Sequence, residues 1–309
     1  MEFLRLLEGI RTPFWDGFFS VITELGGETA FIVAAIVIYW CLDKTYGYYM
    51  MSVGFTGTVL NQFLKLICRV PRPWVRDPGF TIVESAREAA TGYSFPSGHT
   101  QNAVTIFGTT ARYVKKTGVR IAAVGILLLI AFSRMYLGVH TPADVLVSLG
   151  IAAVLTFALY PLLRRAEREP RLYVWIFGGM LMIAAAFVLY LECGINPAGL
   201  DEANYASACK NAYNLLGAVA GICAAFPVER RWVRFRPRDA KWWGQILKVV
   251  LGMALVLGIK EGLRAPLLAL TGGHICASAI RYFLIVFFAA AIWPAVFQMK
   301  FLRKTSSEK

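Results

Sequence analysis

This sequence is poor in charge. Asp, Glu, Lys and Arg make up 17% of its 309 residues, against the ~25% of an ordinary soluble domain. Hydrophobic residues make up 57%, and mean hydropathy is +0.56. Apolar runs about as long as a bilayer crossing recur along the chain, which argues against a soluble protein. Close cysteine pairs are also missing. Cys41, Cys68, Cys193, Cys209, Cys223 and Cys276 show no zinc-site spacing, so no structural metal is expected. Cys193, Cys209 and Cys276 fall near turns on one expected face, which leaves a disulfide open beside the plainer role of small apolar fillers. No internal repeat or low-complexity segment is visible beyond a short polar tail at Thr305–Lys309. A cleavable leader is not expected, because Glu2, Arg5, Glu8, Arg11 and Asp16 interrupt any apolar core there. The net charge of +13 would suit nucleic acid. The basic residues, however, lie in short loops between apolar runs, as in cytoplasmic loops of membrane proteins, so no nucleic-acid partner is expected.

What the chain does contain is apolar helix. Phe3, Leu6, Leu7, Ile10 and Phe14 recur at helical spacing and predict an amphipathic helix, lying in the membrane surface or docked on a bundle. After Gly26-Gly27 come about nine apolar spans, near residues 28–42, 46–68, 99–114, 119–138, 142–163, 172–192, 205–227, 242–263 and 280–299. The expected fold is therefore all-α, a polytopic membrane helical bundle with an N-terminal amphipathic helix. Residues 1–27 would be the interfacial helix, 28–163 the catalytic core helices and 164–309 additional C-terminal transmembrane helices. Loop charge sets the orientation. Lys44; Arg112, Lys115, Lys116 and Arg120; Arg164, Arg165, Arg168 and Arg171; Arg230 to Lys241; and Lys300, Arg303 and Lys304 fall in alternate connections, predicted cytoplasmic. Connections 69–98, 138–141, 193–204 and 264–279 are then predicted to face the other side.

Three stretches carry chemistry. In Ser133-Arg134-Met135-Tyr136-Leu137-Gly138-Val139-His140-Thr141-Pro142-Ala143-Asp144, an apolar run ends, turns through Gly138 and restarts at Thr141-Pro142. Thr caps free N–H groups and Pro suits the first helical position. His140 and Asp144, four apart, share a face if the helix reaches back to His140. Either Asp144 holds one ring nitrogen and leaves the other nucleophilic, or it is a capping carboxylate beside an interfacial histidine. Arg134 has a fork suited to phosphate. Pro96-Ser97-Gly98-His99 precedes another apolar run, which puts Ser97, Gly98 and His99 at a helix start where anions are attracted. Lys65 and Arg72 close an earlier run, with Pro71 and Pro73 ending the helix and placing Arg72 in a loop.

Lys65-x6-Arg72-Pro73, Pro96-Ser97-Gly98-His99 and Ser133-Arg134-x5-His140-x3-Asp144 together resemble the three-part signature of the type 2 phosphatidic acid phosphatase superfamily. That group includes lipid phosphate phosphatases, sphingoid-base phosphate phosphatases, glucose-6-phosphatase and vanadium haloperoxidases. The resemblance covers roughly residues 60–150. It implies a phosphatase in which His140 takes the phosphoryl group, Asp144 orients its ring, and His99 protonates the leaving alkoxide and then activates water. Lys65, Arg72 and Arg134, with Ser97 and the Gly98 N–H, would hold the phosphoryl oxygens. With cations in that role no cofactor or metal is implied. The expected substrate is a lipid phosphate monoester, or a polyprenyl diphosphate, reached from the bilayer. A soluble sugar phosphate is the alternative, favoured by a nine-span arrangement resembling glucose-6-phosphatase, and transfer to an acceptor other than water uses the same residues. His274 in Thr271-Gly272-Gly273-His274, and Lys260, Glu261 and Arg264, are lesser candidates near the same expected face. The oligomeric state is left open.

Overall fold

Helices follow one another along the whole described chain. The computed structural model describes residues 1–194 and 201–298. Lys300, Arg303, Lys304, the polar tail and the end of the last expected span lie outside the described residues, as do residues 195–200 of the expected loop 193–204. The helices are α1 (Glu2–Gly9), α2 (Pro13–Glu24), α3 (Glu28–Val37), α4 (Lys44–Cys68), α5 (Pro73–Arg76), α6 (Gly98–Ala103), α7 (Thr109–Tyr113), α8 (Thr117–Tyr136), α9 (Pro142–Ala166), α10 (Arg171–Leu189), α11 (Glu202–Val228), α12 (Trp242–Gly262), α13 (Arg264–Leu270), α14 (Cys276–Phe287) and α15 (Trp293–Val296). Short π-helical turns, such as Val104–Gly108 between α6 and α7, join several of them.

Each expected span falls on helix, but they are not equal. Five stretches of the described chain are long and apolar enough to cross a bilayer alone: Thr117–Tyr136, Pro142–Ala166, Arg171–Cys193, Glu202–Val233 and Cys276–Val296. A sixth is the pair Pro13–Glu24 and Glu28–Leu42, bent by 46°. The expected span 99–114 forms helix over residues 98–113, which reach only about 24 Å, short of a ~30 Å hydrocarbon core. The N-terminal segment also differs from the single helix expected. Pro13 cannot continue a helix, and the Thr12 hydroxyl accepts from Trp15 N at 3.4 Å, so α1 stops and α2 begins anew.

The described chain divides into two compact units. The first holds Met1–Ala34, Tyr49–Leu162 and the start of α11, and it contains every residue of the three sequence stretches. Within it α8 packs against α2, α6 and α7. Leu4 and Leu7 of α1 pack with Phe80 and Ile82 of the long α5–α6 connection. Phe19 of α2 packs with Tyr136, Leu137 and Val139. Full burial of side chains of this size stabilises by about 1.5–3 kcal/mol each, so the N-terminal helices are part of this unit's core. The second unit holds Ala35–Tyr48 and most of the chain after Leu163. Its buried Glu229 pairs with Lys44 at 2.7 Å and accepts from the Tyr48 hydroxyl at 3.5 Å. The cysteines are all free, so the disulfide left open above does not form.

Candidate active site

One glycine and one proline shape the chain around His140. After α8 the backbone turns through Gly138 at φ +82°, a left-handed conformation that favours glycine. Space demands glycine as well, since a Cβ there would meet Arg11 Nη2 at 2.7 Å and the Phe80 ring at 3.0 Å. The amides of Val139 and His140 then donate back to the Arg134 carbonyl, each at 3.2 Å. Pro142 opens α9, and within its first turn the Asp144 amide donates to the Thr141 hydroxyl at 3.4 Å.

Asp144 is a hub. Its Oδ2 accepts from the Thr141 amide at 2.8 Å and from the Ser94 hydroxyl at 2.5 Å, and lies 3.3 Å from His140 Nδ1. On the other side of the ring, Arg72 Nη1 sits 3.0 Å from His140 Nε2. A guanidinium has only donors, so Nε2 must be the accepting nitrogen and Nδ1 carries the proton toward Asp144. Burial, followed by the Arg72 charge, holds the His140 imidazole well below its ordinary pKa, against the opposing hydrogen bond from Asp144. The ring is thus neutral at pH 7, with a defined tautomer and one lone pair available.

Lys65, Arg72 and Arg134 are all buried, and all three act electrostatically on both His99 and His140. They are held differently. Arg72 donates to the carbonyls of Thr91, Gly92 and Val139 at 2.7, 3.0 and 3.0 Å. Burial lowers its pKa to about 10, so it stays charged at neutral pH. Lys65 donates to the Tyr93 carbonyl. These two expected phosphate ligands therefore also fasten residues 91–93, the strand of chain leading into Ser94–His99. Arg134 is fully buried; its Nη1 donates to Thr23 Oγ1 at 2.6 Å, while Nε and Nη2 have no hydrogen-bond partner among the described residues. Buried guanidinium donors without partners call for a ligand with oxygen acceptors.

Ser97 caps α6, accepting from the amide of Thr100 at 3.4 Å and from its hydroxyl at 3.0 Å. Its own amide donates to the Asp144 carbonyl at 3.1 Å, and its carbonyl accepts from the Ser148 hydroxyl at 2.8 Å, so α6 is tied directly to α9. Beside Gly98 a Cβ would meet nothing within 4 Å, leaving that backbone open to a ligand. Sequence reasoning missed two participants, Ser94 and Thr23. Neither carried a signal: Ser94 lies just before the signature stretch, and Thr23 sits in a helix that reads as interfacial. Of the lesser candidates, His274 lies in the second unit, where its Nδ1 accepts from the Cys276 amide at 3.1 Å. Lys260, Glu261 and Arg264 belong to that unit too. Among the described residues no three His, Cys, Asp or Glu side chains gather as a metal site.

Residues 44–168 match the family model of the PAP2 superfamily, and residues 213–305 match that of the PAP2 superfamily phosphatase, transmembrane extension. Among curated relatives, an undecaprenyl-diphosphatase of Bacillus subtilis is 32% identical over 139 residues, covering 43% of this chain and 69% of that one. Phosphatidylglycerophosphatase B of the same organism is 33% identical over 162 residues, covering 48% and 75%. Sphingosine-1-phosphate phosphatase 1 of Rattus norvegicus is 26% identical over 255 residues, covering 77% of this chain and 57% of its own length.

Proposed function

Because this chain belongs to the PAP2 superfamily, we propose that it hydrolyses a lipid phosphate monoester, or a polyprenyl diphosphate, through a phosphohistidine intermediate on His140 and without a metal. It is a multi-pass integral membrane protein, and the relatives named above act on phosphorylated lipids. The observation that carries the reading is the setting of His140, with Asp144 on Nδ1, a guanidinium on Nε2 and three buried cations around it.

In the proposed reaction the entering phosphoryl oxygens take over the Arg72 Nη1 N–H that rests on Nε2. The freed Nε2 lone pair attacks phosphorus, and the bond to the lipid oxygen breaks as His99 gives that oxygen a proton. Asp144 stabilises the positive charge that develops on the His140 ring. Water then attacks phosphorus while His99 takes one of its protons, and the electrons of the N–P bond return to Nε2. Arg134, through Nε and Nη2, and Lys65, Arg72, Ser97 and the Gly98 N–H hold the three equatorial oxygens throughout.

The proposed topology has nine crossings, beginning with Glu28–Leu42. In it α1 lies at the membrane surface, where Phe3, Leu6 and Ile10 are exposed. The basic connections would be cytoplasmic and the site would open on the opposite side of the membrane. Acyl chains could then stay in hydrocarbon while the headgroup enters. The test is phosphate release by purified protein from phosphatidic acid, sphingosine 1-phosphate, undecaprenyl diphosphate and glucose 6-phosphate. A radiolabelled phosphoryl group trapped on His140 after quenching in base is the expected intermediate. Turnover confined to glucose 6-phosphate would overturn the lipid assignment, and turnover without a labelled histidine would overturn the mechanism.

A further inference from the structure

Helix α2 falls in the N-terminal segment expected to lie in the membrane surface or to dock on the bundle, and its outer side is apolar: Phe14, Trp15, Phe18, Val21 and Leu25 are exposed. Its inner side does something else. Phe19 packs on Tyr136, Leu137 and Val139, which carry the chain from α8 to His140. One turn further on, Thr23 is buried, and its hydroxyl oxygen accepts from Arg134 Nη1 at 2.6 Å. At the bend that follows, a Cβ on Gly26 would stand 2.7 Å from Ile130 Cγ2 and 2.9 Å from the carbonyl oxygen of His99. One short stretch of chain therefore touches the arginine side chain and the backbone of the expected acid histidine.

A guanidinium presents Nε–H and Nη2–H along one edge, side by side, and that edge is the one that grips two oxygens of a phosphate at once. In Arg134 these are the two nitrogens without a partner, and Nη1, on the far side, is the one occupied. The bond from Thr23 holds the guanidinium at its back and leaves its gripping edge unspent. An arginine on a flexible stem has several rotamers of similar energy, so a fixed point at Nη1 decides where the edge faces. The close approach at Gly26 sets the height of Thr23 against α8, and so ties the position of His99 to that of Arg134.

We propose that the end of α2 and the Gly26-Gly27 bend form a fourth wall of the phosphate site, in which Thr23 is a positioning residue that aims the Nε/Nη2 edge of Arg134 at the oxyanion. The proposal rests on the phosphatase reading for its reaction, but its core statement concerns anion binding alone.

The experiment compares the full-length protein with Thr23→Val and Thr23→Ser, purified in the same detergent. Affinity for orthovanadate and for inorganic phosphate is read by titration calorimetry, and vanadate inhibition of lipid phosphate hydrolysis is read in parallel. Thr23→Val keeps shape and loses the acceptor, and its vanadate affinity is expected to fall about tenfold or more, the scale of one hydrogen bond to a charged group. Thr23→Ser restores the acceptor and is expected within about threefold of the parent on the same scale. Dissociation and inhibition constants do not depend on the fraction of protein that folds, so a purely structural role would leave them unmoved. In an Arg134→Ala background Thr23→Val should cost nothing further. Unchanged vanadate affinity in Thr23→Val, equal losses in the Ser and Val variants, or the same loss without Arg134 would each overturn the proposal. If the parent releases no phosphate from any lipid, the phosphatase reading fails and the calorimetry still decides the role of Thr23.

Discussion

Ser94→Ala offers a sharp test of how Asp144 does its work. The Ser94 hydroxyl is fully buried and donates to Asp144 Oδ2 at 2.5 Å, on the same oxygen that faces His140 Nδ1 at 3.3 Å. The serine bond and the Thr141 amide, at 2.8 Å, are the shorter contacts, so they set where this oxygen stands and the imidazole adjusts to it. Removing the hydroxyl leaves one fixed donor in place of two. A hydrogen bond to a charged group is worth about 1.5–3 kcal/mol, and if most of that is lost only as the imidazolium forms, kcat falls about 10- to 100-fold. Ser94 reaches the reaction only through Asp144, so KM should change by less than about twofold, as expected for an interaction used in the transition state alone. The assay is steady-state phosphate release across substrate concentrations, with Ser94→Thr as the control that keeps a hydroxyl. A variant with kcat intact, or one whose loss is wholly in KM, would refute this account of the His140–Asp144 pair.

Four further outcomes are expected. His140→Ala should abolish turnover, and Asp144→Asn should cost about 10³- to 10⁴-fold in kcat by disturbing the ring tautomer; phosphate release by the His140 variant would end the nucleophile assignment. The His140 imidazole is held well below its ordinary value, by burial first and Arg72 second, and it must be neutral to attack. Its neutral form therefore persists down to lower pH than in a free histidine, and the acid limb of kcat/KM should lie below about pH 6.5; a limb centred above 7 would contradict the burial and charge around this ring. Activity should persist after dialysis against EDTA, and a strict requirement for added magnesium would contradict a site run by protein cations.

Much of the helical order was legible because apolar runs and their stops are local. Thr141-Pro142 and Ser97 mark helix starts and are helix starts in the structure; α4 does end just before Pro71, at Cys68, whereas Pro73 opens the short α5 rather than marking a stop. The grouping of His140, Asp144, Lys65, Arg72 and Arg134 was legible from their order along the chain. What each side chain would bond to was not. Arg72 and Lys65 donate to carbonyls of residues 91–93, a loop with no periodic pattern to read. Thr23 and Arg134 are 111 positions apart, and an aromatic-rich helix such as α2 looks the same from sequence whether its back touches lipid or an arginine. Breaks inside a span were not legible either, since the apolar run 99–114 carries no mark of the π turn Val104–Gly108 that interrupts its helix.

The balance of charge in the pocket explains why such a site would seek a phosphate and implies a stability trade. Among the described residues Lys65, Arg72 and Arg134 are buried with Asp144 as the buried carboxylate, and His140 is neutral, so the buried side chains of the pocket carry a net charge of +2, with the exposed Glu24 as a further carboxylate acting on Arg134. Carbonyls satisfy Lys65 and Arg72 in part, but Arg134 Nε and Nη2 have no partner among the described residues. Uncompensated buried charge is costly, and a phosphate dianion would cancel it. Arg134→Met replaces the charge with an apolar side chain of similar length. Without ligand, that variant should melt no lower than the parent, as when buried ion pairs give way to well-packed apolar groups. With vanadate at a hundredfold above its dissociation constant the parent should gain about 2.7 kcal/mol, and the variant at the same vanadate concentration should gain almost nothing. Thermal melts in detergent, with and without vanadate, measure both. An Arg134→Met protein that melts well below the parent yet keeps the vanadate shift would mean that Arg134 serves the fold and not the anion.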